Sequence, residues 1–213
     1  MLDISAHVNA VADMVHDLRS RQGRILLAIA GAPASGKSTL AEELARRLNR
    51  QRCHAVTVSM DGFHLDNRVL DACGLKRRKG APETFDVYGF SHLIRRMHAG
   101  EEVIAPSFDR ARDIAIAGAQ VVPADCPVVI IEGNYLLFDE PVWSDLAQLW
   151  DIAAWMDVPM EDIRARLIQR WLSQGLSRTA ATRRAELNDI PNAQRIIARA
   201  LRPDITLTTR DVR

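Results

Sequence analysis

The chain has 213 residues, 47% of them hydrophobic, and sets 28 Lys and Arg against 27 Asp and Glu for a formal net charge of +1. That length buries a sizeable core and is most simply one domain, 1–213, while near-neutrality gives no bulk field toward nucleic acid or an anionic membrane surface. No apolar run approaches the roughly 18 residues a bilayer span needs, and Asp3, His7 and Asp13 break the basic-then-apolar order of a signal peptide.

Residues 2–20 place Leu2, Ile4, Val8, Val11, Val15 and Leu18 at helical spacing, which predicts an amphipathic helix packed on a sheet. Arg24–Ala30 is an apolar run that reads as a buried strand. It is followed by Gly31-Ala-Pro-Ala34-Ser35-Gly36-Lys37-Ser38-Thr39 and then by a helical stretch to Arg50. The nine residues fit G-x-x-x-x-G-K-[ST], and the strand–loop–helix order is the context that confirms this pattern. Its glycines let successive backbone N–H groups turn into one hollow that holds phosphate oxygens. Lys37 reaches the outer phosphates, the Ser38 hydroxyl is placed to ligate Mg²⁺, and the helix dipole aims at the same spot. Gly31, Ala34, Ser35, Gly36, Lys37, Ser38 and Thr39 are the expected nucleotide-binding residues.

Ala55–Ser59 is a short β-branched run that delivers Met60-Asp61-Gly62-Phe63-His64 at its carboxyl end, where open parallel sheets bind ligands. Asp61 is a candidate base against the alternative of a solvated loop aspartate, and His64 has a minor role. Leu65–Cys73 predicts a short helix stopped by Gly74. Residues 75–86 carry four cations between glycines and read as a loop, either solvated or a flexible arm over an anionic group. Val87–His98 is helical. Val103–Phe108 and Ile114–Val122 predict a hairpin standing off the main sheet, with Pro106 keeping the first run from being central. In its turn, Arg110 and Arg112 either face the site or pair with Asp109 and Asp113.

Pro127–Ile131 closes on Glu132, the usual form of a second nucleotide-site element whose carboxylate holds Mg²⁺. Ile152–Val158 predicts a further strand, Met160–Gln174 a helix, Ser173–Asp189 an arginine-rich continuation, Asn192–Leu201 a helix and Asp204–Thr208 a last strand. Arg166 and Arg170 share one helical face, and for most arginines of this region a solvated role is expected. About five buried strands alternating with helices predict an α/β doubly wound sheet with helices on both faces. Cys53, Cys73 and Cys126 form no C-x-x-C pair, so free thiols in a reducing cytoplasmic setting are expected.

No N-K-x-D guanine motif is present. The D-x-x-G matches at 71–74 and 86–89 follow no predicted strand, and no L-S-G-G-Q occurs. That leaves a small-molecule kinase. The set G-A-P-A-S-G-K-S-T, M-D-G-F-H, R-K-G-A-P-E-T-F-D (78–86), A-P-S-F-D (105–109) and I-I-E-G-N (130–134) resembles the uridine kinase, bacterial pantothenate kinase and phosphoribulokinase group. It is most similar to bacterial nucleoside-kinase-like proteins described as fructose transport system kinases. The resemblance implies a three-layer P-loop fold with a five-stranded, mostly parallel sheet, a hairpin over the substrate site at about 101–123 and a helical lid at about 165–190. It implies ATP and Mg²⁺ as cofactors, Asp61 as the base taking the hydroxyl proton, Glu132 with Ser38 at the metal, and Arg170 as the lid arginine on the phosphates. Phe108 and Arg110 stand where pantothenate kinases have a tyrosine and a histidine, and the histidine of uridine kinases near this hairpin is missing. The acceptor is therefore open among a sugar such as fructose and pantothenate- or nucleoside-like molecules, with His64, Phe108 and Arg110 as substrate candidates. The competing readings are a non-catalytic nucleotide-binding regulator and a nucleotide monophosphate kinase using Lys76–Lys79. The expected partner is a small-molecule hydroxyl substrate, with a homodimer allowed and neither nucleic acid nor membrane.

Overall fold

The computed structural model describes residues 4–19 and 23–208. Seven strands form in chain order: β1 (Ile25–Gly31), β2 (Ala55–Ser59), β3 (Val103–Asp109), β4 (Ile114–Val122), β5 (Val128–Gly133), β6 (Ile152–Asp157) and β7 (Ile205–Thr208). Five make one sheet in the order β2-β5-β1-β6-β7, and every pairing in it is parallel. β1 and β5 are buried along their whole length, as continuous aliphatic runs require when both sheet faces are covered.

One face is covered by α1 (Ser5–Leu18) and α2 (Lys37–Arg50), which pack Val11, Val15, Leu40 and Leu44 against Leu27, Ile29 and Ile130. Leu2 and the other ends of the predicted 2–20 helix lie outside the described residues. The short α3 (Asn67–Ala72) follows the turn after β2, and α4 (Val87–His98) covers the opposite face. There Phe90, Ile94, Tyr135, Phe138 and Trp143 pack against Leu26, Val129 and Ile131. A third cluster joins the carboxyl end of the sheet to α5 (Met160–Ser173), a π turn at Ala185–Asp189 and α7 (Ile190–Ala198), with α6 (Arg178–Arg184) leading into the π turn. Among the described residues, no helix is long and apolar enough to cross a membrane.

β3 and β4 form the expected separate antiparallel hairpin, with a register shift at Pro106 between Ala105 and Ser107. The 75–86 segment differs from the loop read in the sequence. It contains 3-10 turns at Lys76–Arg78 and Pro82–Thr84, closed by local bonds and pinned from the core. The buried Thr84 hydroxyl donates to Ala81 O (2.7 Å) and accepts from Gly80 N–H (3.0 Å), while the Tyr135 hydroxyl donates to Gly80 O (2.6 Å). Side chain-to-backbone bonds supply here what apolar periodicity does not.

At the amino-terminal edge of the sheet, Arg24 donates to five carbonyls: Cys126, Met97, Glu101, Pro123 and Ala124, at 2.7 to 3.1 Å. These belong to the end of α4, the approach to β3 and the approach to β5.

Candidate active site

Strand register sets the first distances. Glu132 pairs with Ile29 on one side and Ser59 on the other, so the carboxyl ends of β1, β2 and β5 converge. The Ser59 hydroxyl donates to the Glu132 carboxylate and accepts from Asp61 N–H (3.2 Å), which seats the 3-10 turn carrying Asp61 beside Glu132.

The loop after β1 turns on two residues with positive φ, Ala34 (62°) and Gly36 (101°), the latter being the N-cap of α2. A Cβ at Gly31 would meet Met156 O at 2.9 Å. Ala34, Gly36, Lys37, Ser38 and Thr39 line the wall of a cavity of about 1140 Å³, whereas Gly31 and Ser35, also expected at the nucleotide, are buried and do not line it. Lys37 is buried, and its Nζ donates to Ala32 O (2.8 Å) and Ser35 Oγ (3.4 Å). Burial lowers its pKa to about 8, against the opposing pull of Glu132 and Asp61. Burial likewise raises the Glu132 pKa, reinforced by the Asp61 charge and opposed by Lys37 and Ser59.

Asp61, Glu132, His64, Phe108 and Arg110 line the same cavity. The hairpin turn splits its two arginines. Arg110 pairs with the Asp61 carboxylate, while Arg112 is held within the turn by Asp109, Nε to Oδ2 at 2.7 Å. His64 lies against Phe85 and Phe108, with ring centroids 4.0 and 4.8 Å away. Its Nδ1 has no hydrogen-bond partner, and burial lowers its pKa.

Across the opening, Arg166, Arg170 and Arg184 line the cavity; Arg170 is the arginine expected at the phosphates, while Arg166 and Arg184 depart from the solvated role expected for most of this region. Arg166 Nη1 donates to Ala34 O (3.3 Å). The Arg170 pKa is lowered by burial and then by Arg110, and Asp189 is raised by its own burial. Trp171 Nε1 donates to Asp189 (2.5 Å), and Arg184 lies 5.1 Å from the Trp171 ring. Two further bonds tie this helical region to the basic segment: Arg184 Nη1 to Arg77 O and Asn188 Nδ2 to Lys79 O, both 2.9 Å. Lys79 belongs to the basic segment read as either solvated or an arm over an anionic group, but sequence reasoning missed Asn67, Asn188 and Asp189. The one signal for them was the amide and acid side chains in segments otherwise rich in arginine.

The loop fits a nucleotide triphosphate: two positive-φ residues, a close-packed glycine and a buried lysine are what a tight phosphate cradle needs. Among the described residues, no three His, Cys, Asp or Glu side chains form a cation cage. Ser38 and Glu132 instead fit Mg²⁺ brought in on phosphates, the usual way this ion binds.

The model of the phosphoribulokinase / uridine kinase family matches residues 26–203. Protein C227.14 of Schizosaccharomyces pombe, provisionally named a uridine kinase, is 36% identical over 201 residues, covering 90% of this chain and 86% of its own. YggC of Escherichia coli is 37% identical over 83% of this chain and 74% of its own. A crystal structure from Silicibacter sp. TM1040, provisionally named a fructose transport system kinase, superposes with a TM-score of 0.90 at 52% identity, covering 94% of this chain and 98% of that one. The parallel sheet, the phosphate loop on β1 and the matched length leave one conclusion: the chain belongs to the phosphoribulokinase / uridine kinase family of P-loop small-molecule kinases.

Proposed function

We propose that the chain transfers the γ-phosphoryl group of ATP to a hydroxyl of a small molecule of the sugar class. The observation supporting this is the placement of Asp61 on the wall of the cavity that also holds Lys37 and the phosphate loop. A protein that only held nucleotide has no use for a carboxylate there.

The loop amides and Lys37 hold the triphosphate in line with the acceptor. Asp61 accepts the proton of the acceptor hydroxyl as its oxygen bonds to the γ-phosphorus and the bond to the β,γ-bridging oxygen breaks, releasing ADP. Ser38 and Glu132 would hold Mg²⁺, which supplies charge neutralisation on the phosphates. Arg170 neutralises charge on the transferred group, with Arg166 and Arg184 beside it. Helices α5 and α6 act as the lid and exclude water. His64 is neutral at physiological pH and offers its unpartnered Nδ1 to an acceptor hydroxyl, with Phe108 as the apolar wall.

ADP release measured over sugars, pantothenate and nucleosides tests this. The expected result is turnover on one acceptor class, reduced about 10³-fold in Asp61→Asn with nucleotide binding intact. Turnover by Asp61→Asn at the unaltered rate would remove Asp61 as the base. Tight ATP binding with no turnover on any acceptor would leave a regulator.

A further inference from the structure

Resting on the kinase reading above, we propose that the acceptor is an anionic polyol, a hydroxylated molecule bearing a carboxylate or phosphate. We infer that Arg110 passes from Asp61 to that anion when the acceptor binds.

Asp61 and Arg110 form an ion pair in which the carboxylate is mostly covered, with 17% of its side chain exposed, while Arg110 is 59% exposed. The guanidinium occupies hydrogen-bonding sites on the Asp61 carboxylate that an acceptor hydroxyl would need. Asp61 is therefore masked for the role its position gives it. Unmasking it requires another anion for Arg110, and the triphosphate has the loop amides, Lys37 and Arg170 as its own partners. A neutral polyol brings none, whereas a carboxylate or phosphate matches the guanidinium fork in two hydrogen bonds.

The cation that shares the Phe108 ring with Arg110 is already committed. Lys79 Nζ donates to Asn67 Oδ1 (3.0 Å) and Asp113 O (2.9 Å) and pairs with the Asp113 carboxylate (2.9 Å). Lys79 and Arg110 stand 5.4 and 6.0 Å from the centroid of the Phe108 ring. That ring thus carries one cation neutralised by Asp113 and one whose partner is the proposed base. The side chain, not the hairpin, is the part that swings. A Cβ on Gly62 would lie 2.7 Å from Pro106 O, so β3 is packed directly on the turn that bears Asp61. The charge balance of the cavity agrees, with eight Lys and Arg side chains against four carboxylates on its wall in a chain of net charge +1.

The test is binding to protein saturated with a non-hydrolysable ATP analogue and Mg²⁺, using matched pairs. Glycerol against glycerate and glucose against gluconate report a carboxylate, and fructose against fructose 6-phosphate reports a phosphate. The expected result is that the anionic member of at least one pair binds tenfold or more tighter than its neutral partner. That preference disappears in Arg110→Gln, is partly kept in Arg110→Lys and is unchanged in Arg112→Gln. Equal binding within every pair, no binding of any anionic member, or a preference that survives Arg110→Gln overturns the proposal. ADP release on the same pairs separates it from the reading beneath it. Equal kcat/KM for neutral and anionic acceptors sinks the anion assignment and keeps the kinase. Arg110-dependent anion binding without ADP release keeps the anion site and sinks the kinase.

Discussion

Burial drives Lys37 and Glu132 toward their neutral forms, and each consequence can be measured. A triphosphate binds the protonated lysine, and burial sets the pKa of Lys37 in the free protein at about 8. Affinity for an ATP analogue should therefore be flat below pH 8 and fall above it by up to tenfold per pH unit, with proton uptake on binding visible by calorimetry. The slope should vanish in Lys37→Met, along with most of the affinity. Glu132 has the opposite sense. Its folded-state pKa is raised, so the folded chain holds that proton more tightly than the unfolded one. The ionised carboxylate then costs stability above the folded pKa, and the cost disappears below the unfolded value. Glu132→Gln should raise the melting temperature at pH 8, by on the order of 1–3 kcal/mol of stability, with the gain shrinking toward pH 4 while phosphoryl transfer is lost. Both residues were legible in the sequence, Lys37 from its motif and Glu132 from the aliphatic run it ends. The residues of the turn alone left Arg110 and Arg112 open, and the resemblance alone singled out Arg110 as a substrate candidate. Both flank the same turn with an aspartate in reach, and only the approach of the hairpin to Asp61 decides between them.

Individual elements show how that approach is secured. Gly62 has ordinary backbone geometry, yet a side chain there would collide with the Pro106 carbonyl, so the glycine serves contact between the hairpin and the Asp61 turn. Gly62→Ala should push β3 outward and break the Arg110–Asp61 pair. The acceptor KM should rise tenfold or more while the KM for ATP stays within about twofold, at a cost of roughly 1–3 kcal/mol in unfolding free energy. Steady-state kinetics with both substrates varied reads the split. Strands and long helices were legible because their apolar periods are strong. The 3-10 turns of 76–84 and the π turn of 185–189 were not. They are held by Thr84, Tyr135 and Trp171, through bonds to partners up to 55 residues away, which no local pattern encodes.

At the scale of the whole molecule, the cavity is walled by two regions far apart in sequence that nevertheless share hydrogen bonds. Asn188 of the π turn and Arg184 of α6 hold the carbonyls of Lys79 and Arg77. The helices on one wall of the cavity are thereby joined to the segment that carries Lys79 on another. Asn188→Ala should weaken acceptor binding several-fold and leave ATP affinity nearly unchanged. The accompanying loss of stability is about 1–2 kcal/mol, since Asn188 is buried; paired calorimetric and kinetic titrations check both.

The opposite rim of the sheet is fastened differently. There one guanidinium, that of Arg24, gathers five carbonyls from three crossings of the backbone, using the fork of donors that only arginine carries. The backbone crossings remote from the phosphate loop are thus held in register by a single side chain.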